Sequence, residues 1–366
     1  MGAKIMKNAV YIHIPFCKVI CSYCDFCKVF YDSTWAKKYL KALNNEVEDR
    51  YLGEEITSIY IGGGTPSSLS LQEMEYLLQM TRKFQQSSNI EFTCECNLND
   101  ITQEKLELMK KYGVNRLSIG IQSFQEKLLD FLGRNHTYEE AQEKIKMARK
   151  MGFHNINLDL IYAIPFQTMK DLKKDLSLFL KLKPDHISTY SLIIEEHTLL
   201  SVNKVNPISQ EEDLKMYETI YKYLKRKGFV HYEVSNFAKS GFESSHNLRY
   251  WNNEEYYGFG LSASGYIQDV RYTNTKNLTK YLEGNYQGTQ EFMAIQEKME
   301  NELMLGLRKR KGINKQDFEN KYGVSIEQAF PIKPLLKNKD LQEKNGFIFI
   351  PDDKVYIMNE ILLKMI

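Results

Sequence analysis

Three cysteines stand close together near the start of the chain, in the stretch Cys17-Lys-Val-Ile-Cys21-Ser-Tyr-Cys24. Because three and then two residues separate them, three thiolates can reach one small face of a loop. A cube of four irons and four sulfurs usually takes four cysteine ligands, one for each iron. Three cysteines from one loop therefore leave one iron open to a small molecule.

A zinc ion is the main alternative for these cysteines, because tetrahedral zinc sites also use cysteine pairs separated by two residues. A structural zinc site needs a fourth ligand, and no second zinc knuckle follows farther along the chain. Cys27, three residues beyond Cys24, could supply that ligand. The spacing favours a cluster and leaves zinc open.

A glycine run, Gly62-Gly63-Gly64-Thr65-Pro66, directly follows an apolar segment that ends at Ile61. Glycines at the end of a strand let the backbone approach a ligand and point its amides at it. Taken alone, the run is equally typical of a tight turn.

Four polar residues lie at or near the ends of later strand-like segments: Glu95, Gln122, Arg134 and Asp159. Carboxylates suit an ammonium group or ribose hydroxyls, and the arginine fork suits a carboxylate. The ordinary alternative for the two acids is solvation or pairing with lysines. Cys94 and Cys96, beside Glu95, are interpreted as small buried residues.

Repeated strand–helix units must position these residues, since apolar runs alternate with amphipathic stretches over the first two-thirds of the chain. The pattern predicts strands over 9–14, 55–61, 90–95, 116–121, 156–161 and 186–192. It predicts helices over 34–49, 71–84, 103–112, 138–151, 169–182 and 213–226. The fold class is therefore α/β, but the periodicity does not distinguish a closed barrel from an open one.

The last third of the chain departs from this alternation. A strand is predicted over 229–235 and an aromatic segment follows over 236–272. Beyond Phe292 the chain has a helical pattern and a predicted terminal hairpin over 346–358. We therefore divide the chain into residues 1–235, a connecting segment 236–290 and a small domain 291–366.

The composition excludes several classes of protein. The 366 residues are 43% hydrophobic and 26% charged, and the net charge of +2 is too small to argue for nucleic acid. The sequence has no run of about 18 apolar residues, the length that is needed to cross a membrane. The start lacks the apolar core of a signal peptide, and the six cysteines group as four and two. We therefore expect a cytoplasmic protein with reduced cysteines.

The residues around the cysteines carry a family resemblance. Tyr11-Ile-His-Ile-Pro-Phe-Cys17, with Cys21, Tyr23 and Cys24, resembles the signature of the radical S-adenosylmethionine (SAM) superfamily. The chain is similar to the branch that holds oxygen-independent coproporphyrinogen III oxidase and the heme chaperone HemW. This resemblance implies a partial six-stranded (β/α) barrel with a small C-terminal winged-helix-like domain. It also implies a 4Fe–4S cluster on Cys17, Cys21 and Cys24.

The resemblance further implies which residues bind SAM. The matching positions are Tyr11, Gly63, Gly64, Thr65, Glu95, Gln122, Arg134 and Asp159. The Gly-Gly-Thr-Pro backbone would hold the methionine amino group, and the amino and carboxylate groups would chelate the open iron. A reduced cluster could then pass one electron and cleave a carbon–sulfur bond. An electron donor is thereby implied as a partner.

Two functions remain within the branch, and three observations favour a chaperone that passes heme to acceptor proteins over an oxidase. The oxidase pattern has a fourth cysteine where this chain has Phe26, and only ten residues precede Tyr11. The stretch Ser245-His246-Asn247-Leu-Arg-Tyr-Trp also resembles a motif of the HemW side. Oxidase activity is therefore not expected.

His246 is the candidate heme ligand, because imidazole suits heme iron and neighbouring aromatic rings can stack on a porphyrin. The alternative is a hydrogen-bonded structural corner. Two departures from the family pattern keep open a third function, a radical enzyme with another substrate. Ala163 and Phe166 replace two family glycines, and Gly260-Leu-Ser-Ala-Ser264 lacks a family histidine.

Overall fold

The computed structural model describes residues 7–365. Twelve strands of this part of the chain form one large sheet. They are β1 Lys7–Ile14, β2 Glu55–Gly63, β3 Gln85–Asn97, β4 Arg116–Gln122, β5 Asn155–Tyr162, β6 His186–Ser191, β7 Val230–Glu233, β8 Asn236–Ala238, β9 Tyr256–Phe259, β10 Ser264–Ile267, β11 Val270–Asn274 and β12 Gln287–Phe292. Their spatial order is β12-β11-β10-β9-β1-β2-β3-β4-β5-β6-β8-β7.

Strands β1 to β6 are parallel and lie beside one another in the order of the chain. They form the predicted partial six-stranded barrel, and the α/β fold class is confirmed. Because all six strands run the same way, their carboxyl ends meet at one edge. The loops that follow these ends are therefore the part of the fold that can build a site.

Helices connect the strands and cover the outside of the barrel. They are α1 Ser33–Arg50, α2 Leu71–Met80, α3 Gln103–Lys111, α4 Glu126–Leu132, α5 Tyr138–Lys150, α6 Met169–Lys181, α7 Leu199–Val202, α8 Gln210–Arg226, α9 Ser245–Trp251 and α10 Leu278–Leu282. The Ser70, Thr137 and Thr168 hydroxyls accept hydrogen bonds from backbone amides at the starts of α2, α5 and α6. Such caps satisfy amide groups that have no partner within the helix.

The main hydrophobic core lies between the sheet and these helices. In β4, which is buried along its whole length, Leu117, Ile119 and Ile121 belong to this core. Since successive strand side chains alternate in direction, Ser118 and Gln122 face the barrel interior instead. The interior of the barrel is thus polar while its outer face is apolar.

The segment 236–290 continues the large sheet instead of interrupting it. Strand β9 pairs in parallel with β1, and β10, β11 and β12 extend the sheet from it by antiparallel pairing. The predicted strand over 229–235 ends at Glu233, and β8 pairs with both β7 and β6. These strands have only three to six residues, too few for a clear sequence period. The division at 235 and 290 stays a prediction.

The C-terminal part builds a small second core. Its helices are α11 Ile295–Gly306, α12 Lys315–Tyr322, α13 Ile326–Ala329, α14 Ile332–Lys337 and α15 Met358–Leu362. Its three strands are β13 Ile313–Asn314, β14 Gln342–Lys344 and β15 Phe347–Phe349. The bounds predicted for the terminal hairpin, 346–358, were wrong. Strands β14 and β15 form the hairpin, and Asp352–Ile357 is a 3-10 helix.

Within residues 7–365, no helix is both long enough and apolar enough to span a membrane.

Candidate functional site

A cavity of about 430 Å³ opens at the carboxyl ends of the parallel strands. Every predicted site residue except Tyr11 and His246 lines it: Cys17, Cys21, Cys24, Gly63, Gly64, Thr65, Glu95, Gln122, Arg134 and Asp159. The structure therefore brings together residues that lie more than 140 positions apart in the chain.

The cysteine loop lies between β1 and α1 and is held at several points. The backbone amide of Tyr31 donates to the carbonyl of Cys17, at 2.9 Å. The Ser22 hydroxyl donates to the carbonyl of Phe131, at 2.7 Å, and the Thr65 amide donates to the carbonyl of Phe16, at 2.9 Å. These bonds tie the loop to both α4 and the glycine run.

The thiol of Cys17 is buried beside Thr65, with 3.5 Å between Sγ and Oγ1. Burial raises the pKa of Cys17 to about 11, and burial also raises the pKa of Cys24. Iron would reverse this tendency, because a thiol that coordinates a metal is deprotonated. Without iron, these side chains are neutral thiols near pH 7.

Cys27 faces a different environment from the other three cysteines. Its side chain packs against the main hydrophobic core, and its carbonyl accepts a hydrogen bond of 2.8 Å from His13 Nε2. Cys17, Cys21 and Cys24 instead line the cavity. Three of the four cysteines of the loop therefore share the cavity lining, and Cys27 is not part of it.

The glycine run after β2 lies directly against the cysteine loop. The Gly64 amide donates to the carbonyl of Ile14, at 2.8 Å. Gly63 has a φ of +110°, and a Cβ atom there would lie 2.5 Å from the His13 ring. Glycine is therefore required at this position both by the backbone and by the close approach. The Gly63 amide donates to Glu95 Oε2, at 3.1 Å.

Glu95 lies near the carboxyl end of β3 and accepts a second hydrogen bond from the Tyr60 hydroxyl, at 2.7 Å. Burial raises the pKa of Glu95 to about 7, and the nearby Asp159 carboxyl adds to this effect. A cation bound beside Glu95 would stabilise its ionised form.

Four buried polar atoms of the cavity lining have no hydrogen-bond partner among residues 7–365: Arg116 Nε, Gln122 Oε1, Arg134 Nε and His136 Nε2. Gln122 also has a φ of +74°, which is uncommon for a residue other than glycine. Arg134 Nη1 donates to the carbonyl of Gly120, at 2.8 Å. Buried polar groups are normally paired, so these atoms indicate a polar ligand or water in the cavity.

Asp159 accepts a hydrogen bond of 2.8 Å from Asn157 Nδ2 through Oδ1. Burial raises the pKa of Asp159. The side chains of Glu95, Gln122, Arg134 and Asp159, with the Gly63 backbone, offer acceptors and donors of the kinds that an amino acid and a ribose need. The cavity therefore fits SAM.

Tyr11 is not among the residues that line the cavity. Because His13 Nε2 donates to Cys27, Nδ1 is the acceptor of the ring, and the Tyr11 hydroxyl donates to it at 3.0 Å. The hydrogen bond from His13 to the Cys27 carbonyl connects β1 to the cysteine loop. The predicted contact between Tyr11 and SAM stays a prediction.

His246 is buried, with 1% of its surface exposed. Its Nδ1 is hydrogen-bonded to the Ser58 hydroxyl at 3.0 Å, and its Nε2 to the Tyr250 hydroxyl at 2.8 Å. Burial, followed by the charge of Arg116, lowers the pKa of His246 to about 3. Its neighbour Asn247 lines the cavity. Heme iron could reach His246 only if one of these two hydrogen bonds opened.

Sequence reasoning missed several residues of the cavity lining: Arg116, Ser118, Asn157, Ser188 and Tyr190. A signal for them was present. Arg116 and Ser118 precede Gln122 by six and four positions on one strand, so they face the same side.

Known proteins resemble this chain over nearly its whole length. The radical SAM superfamily profile matches residues 11–179, and the HemN C-terminal domain profile matches residues 295–352. The heme chaperone HemW of Bacillus subtilis is 41% identical over 370 residues, covering 97% of this chain and 96% of the relative. The chain belongs to the HemW family. HemW of Lactococcus lactis is 39% identical, covering 98% and 97% of the two chains.

A solved structure has the same fold. Coproporphyrinogen III oxidase (HemN) from Escherichia coli superposes with a TM-score of 0.87 at 23% identity, covering 98% of this chain and 89% of that one. At this identity the match shows the fold alone. Radical SAM proteins, to which the HemW family belongs, bind a 4Fe–4S cluster and SAM.

Proposed function

We propose that this chain is a heme chaperone, which binds heme and transfers it to acceptor proteins. The observation that carries this proposal is its similarity to heme chaperones over nearly the full length of both chains. The geometry agrees with it, since Phe26 lies where the oxidase pattern has a fourth cysteine and Cys27 packs against the core. Phe26 itself lines the mouth of the cavity.

The proposed cluster ligands are Cys17, Cys21 and Cys24. Gly63, Gly64 and Thr65 would hold the amino end of SAM with their backbone, and Glu95 would accept from its ammonium group. Arg134 is proposed for the SAM carboxylate, and Gln122 and Asp159 for the ribose. When bound, the cluster supplies one-electron chemistry.

His246 remains the proposed heme ligand, supported by its imidazole and by the rings of Tyr60 and Tyr250, whose centroids lie 5.2 Å and 4.9 Å from it. Ligation requires Nε2 to leave the Tyr250 hydroxyl or Nδ1 to leave the Ser58 hydroxyl. Tyr250→Phe removes one of these bonds and keeps the ring of His246. If His246 binds iron, His246→Ala weakens heme binding and shifts the heme absorbance band, whereas Tyr250→Phe leaves binding equal or tighter.

Partner proteins follow from the same proposal. A heme chaperone needs acceptor proteins, and a redox-active cluster needs an electron donor. The small net charge of +2 gives no support to a nucleic-acid partner. We propose that these exchanges take place in the cytoplasm, where reduced cysteines persist.

The experiment that tests the function is an anaerobic heme titration of the cluster-loaded chain, followed by absorbance. We expect saturable binding near one heme per chain, and loss of that heme to an added apomyoglobin. Absence of saturable binding, together with decarboxylation of coproporphyrinogen III, would contradict the proposal and support an oxidase.

A further inference from the structure

A buried histidine lies directly beneath the lining of the cavity. His186, the first residue of β6, has 1% of its surface exposed and is not among the lining residues. It is the register partner of Asn157 on β5, and Asn157 does line the cavity. Both ring nitrogens of His186 are hydrogen-bonded. The direction of these two bonds shows what the ring does for the cavity.

The side-chain amide of Asn157 is the centre of this set of hydrogen bonds. Its Nδ2 donates to Asp159 Oδ1 and to Ser118 Oγ, both at 2.8 Å. Because an ionised carboxylate only accepts, the amide nitrogen must face Asp159 and the amide oxygen must face away. That oxygen accepts from the Ser188 hydroxyl at 3.2 Å and lies 2.6 Å from His186 Nδ1.

The amide of Asn157 also favours the charged form of Asp159. Burial raises the pKa of Asp159, and the hydrogen bond from Asn157 opposes this rise. Only the ionised carboxyl accepts hydrogen bonds through both oxygens, which suits the ribose hydroxyls of SAM. The orientation of Asn157 therefore matters for what Asp159 can bind.

The ring of His186 has one proton, and its position follows from Asn157. Burial, followed by the charge of Arg116, keeps the pKa of His186 well below its ordinary value, so the ring is neutral near pH 7. A neutral imidazole has one N–H and one acceptor nitrogen. Since Asn157 Oδ1 only accepts, Nδ1 carries the proton and donates to it. Nε2 is then the acceptor, and the Tyr232 hydroxyl donates to it at 2.8 Å.

The far side of the ring is held through Tyr232 by the start of α9. The Tyr232 oxygen accepts from the backbone amide of Ser244 at 3.2 Å, and the Ser244 side chain caps α9. Asn157, Tyr232 and Ser244 are all buried. Turning the His186 ring would leave several buried polar groups unpaired, which is destabilising. The ring is therefore fixed in the orientation that donates to Asn157.

We infer that His186 is a positioning residue of the SAM site: its Nδ1–H orients the Asn157 amide, and that amide holds the Asp159 carboxylate. Without this donor, Asn157 could turn its oxygen toward Asp159, where two acceptors repel each other. The inference rests on the proposed contact between Asp159 and the ribose of SAM. His186 itself does not touch SAM.

Asparagine and glutamine separate the two sides of the ring. The amide nitrogen of asparagine takes the place of Nδ1 and still donates to Asn157, whereas the amide of glutamine reaches the place of Nε2 and faces Tyr232. SAM is titrated calorimetrically and anaerobically into the cluster-loaded full chain. We expect His186→Gln to bind SAM about tenfold more weakly, as for one lost hydrogen bond at a charged group. His186→Asn should keep the wild-type affinity, as should the control His154→Gln at an exposed histidine.

A double variant tests whether the effect passes through Asp159. Once Asp159→Asn has removed the carboxylate, adding His186→Gln should cause no further loss of SAM affinity. A further tenfold loss in the double variant overturns the inference. So does an equal effect of His186→Asn and His186→Gln, because a purely structural role would not distinguish the two nitrogens.

The tautomer can be measured without any substitution at His186. Long-range ¹H–¹⁵N spectra of protein labelled in histidine distinguish an Nδ1–H ring from an Nε2–H ring, and Tyr232→Phe identifies the His186 signal by shifting it. We expect the Nδ1–H form, and the Nε2–H form overturns the inference. Heme is absent from all of these measurements, so their outcome does not depend on the chaperone proposal. If the wild type does not bind SAM, the assignment of the cavity fails and the inference fails with it.

Discussion

Cys27 and the three cavity cysteines differ in their surroundings although they are neighbours in the chain. We expect Cys17→Ala, Cys21→Ala and Cys24→Ala each to lose most of the bound iron and sulfide, because each removes a ligand from the cavity. Cys27→Ser is the matched control and should keep the full iron content, since its side chain faces the core. Iron and sulfide analysis after anaerobic reconstitution measures both. Loss of iron in Cys27→Ser would instead support a fourth ligand.

The Glu95 carboxyl predicts a pH dependence of SAM binding. Its pKa is raised to about 7, so the free protein gains this proton as the pH falls through 7. Only the ionised carboxylate attracts the ammonium of SAM, and the affinity should therefore fall about tenfold between about pH 8 and pH 6. Isothermal titration of the cluster-loaded chain measures it.

Glu95→Gln provides the control for this pH effect. Glutamine has no proton to gain in this range, so the variant should bind SAM more weakly at about pH 8 and show a flat profile. A wild-type profile that is equally flat would show that Glu95 does not meet the ammonium group.

At the scale of elements, the turn after β2 depends on a glycine for two separate reasons. Gly63 and Gly53 both have positive φ angles, +110° and +97°, but a Cβ at Gly53 would meet nothing within 4 Å. Gly53→Ala should therefore cost roughly 1–2 kcal/mol from the backbone alone. Gly63→Ala should cost about 1–3 kcal/mol more, because the His13 ring must move.

Chemical denaturation of the two glycine variants separates backbone strain from crowding. Gly63→Ala should also weaken SAM binding, which Gly53→Ala should leave unchanged. Equal losses of stability in the two variants would show that the contact with His13 has no energetic consequence.

The long crossover units were predictable from the sequence, whereas the later strands were not. Helix α5 has a clear period because it buries one face over its 13 residues, and strand β4 has one because apolar residues alternate with polar or small ones over its seven residues. Strand β9, with four residues, has no such length, and its partner β1 lies at the other end of the chain. Only tertiary pairing creates it.

The candidate site also combines features set by local sequence with features set by long-range contacts. The cysteine spacing and the glycine run are local signals, and the two segments line one cavity in the structure. The hydrogen bond between His246 and Ser58 joins elements far apart in the chain, so the burial of His246 was not visible from the sequence. Arg116 was missed because a charged residue at a strand start normally faces solvent.

At the scale of the whole molecule, the main core and the C-terminal core are the two larger of the three hydrophobic clusters among residues 7–365, and they should respond separately to damage. Phe318 is buried in the C-terminal cluster and Phe153 in the main core. Either substitution by alanine should cost about 3–5 kcal/mol. We expect Phe318→Ala to increase hydrogen exchange over 295–365 while cluster incorporation persists. Phe153→Ala should impair both, and equal exchange throughout in Phe318→Ala would indicate one cooperative unit.

The parallel pairing of β9 with β1 sets an order of events during synthesis. Ala9 pairs with Tyr256, which is made roughly 250 residues later. At about 5–20 residues per second, a ribosome needs on the order of ten to fifty seconds to make that length. One edge of β1 therefore stays unpaired for that time, and an open strand edge invites association with other chains. Of the twelve strands in the large sheet, the one that leads into the cysteine loop is made first and is among the last to gain both neighbours.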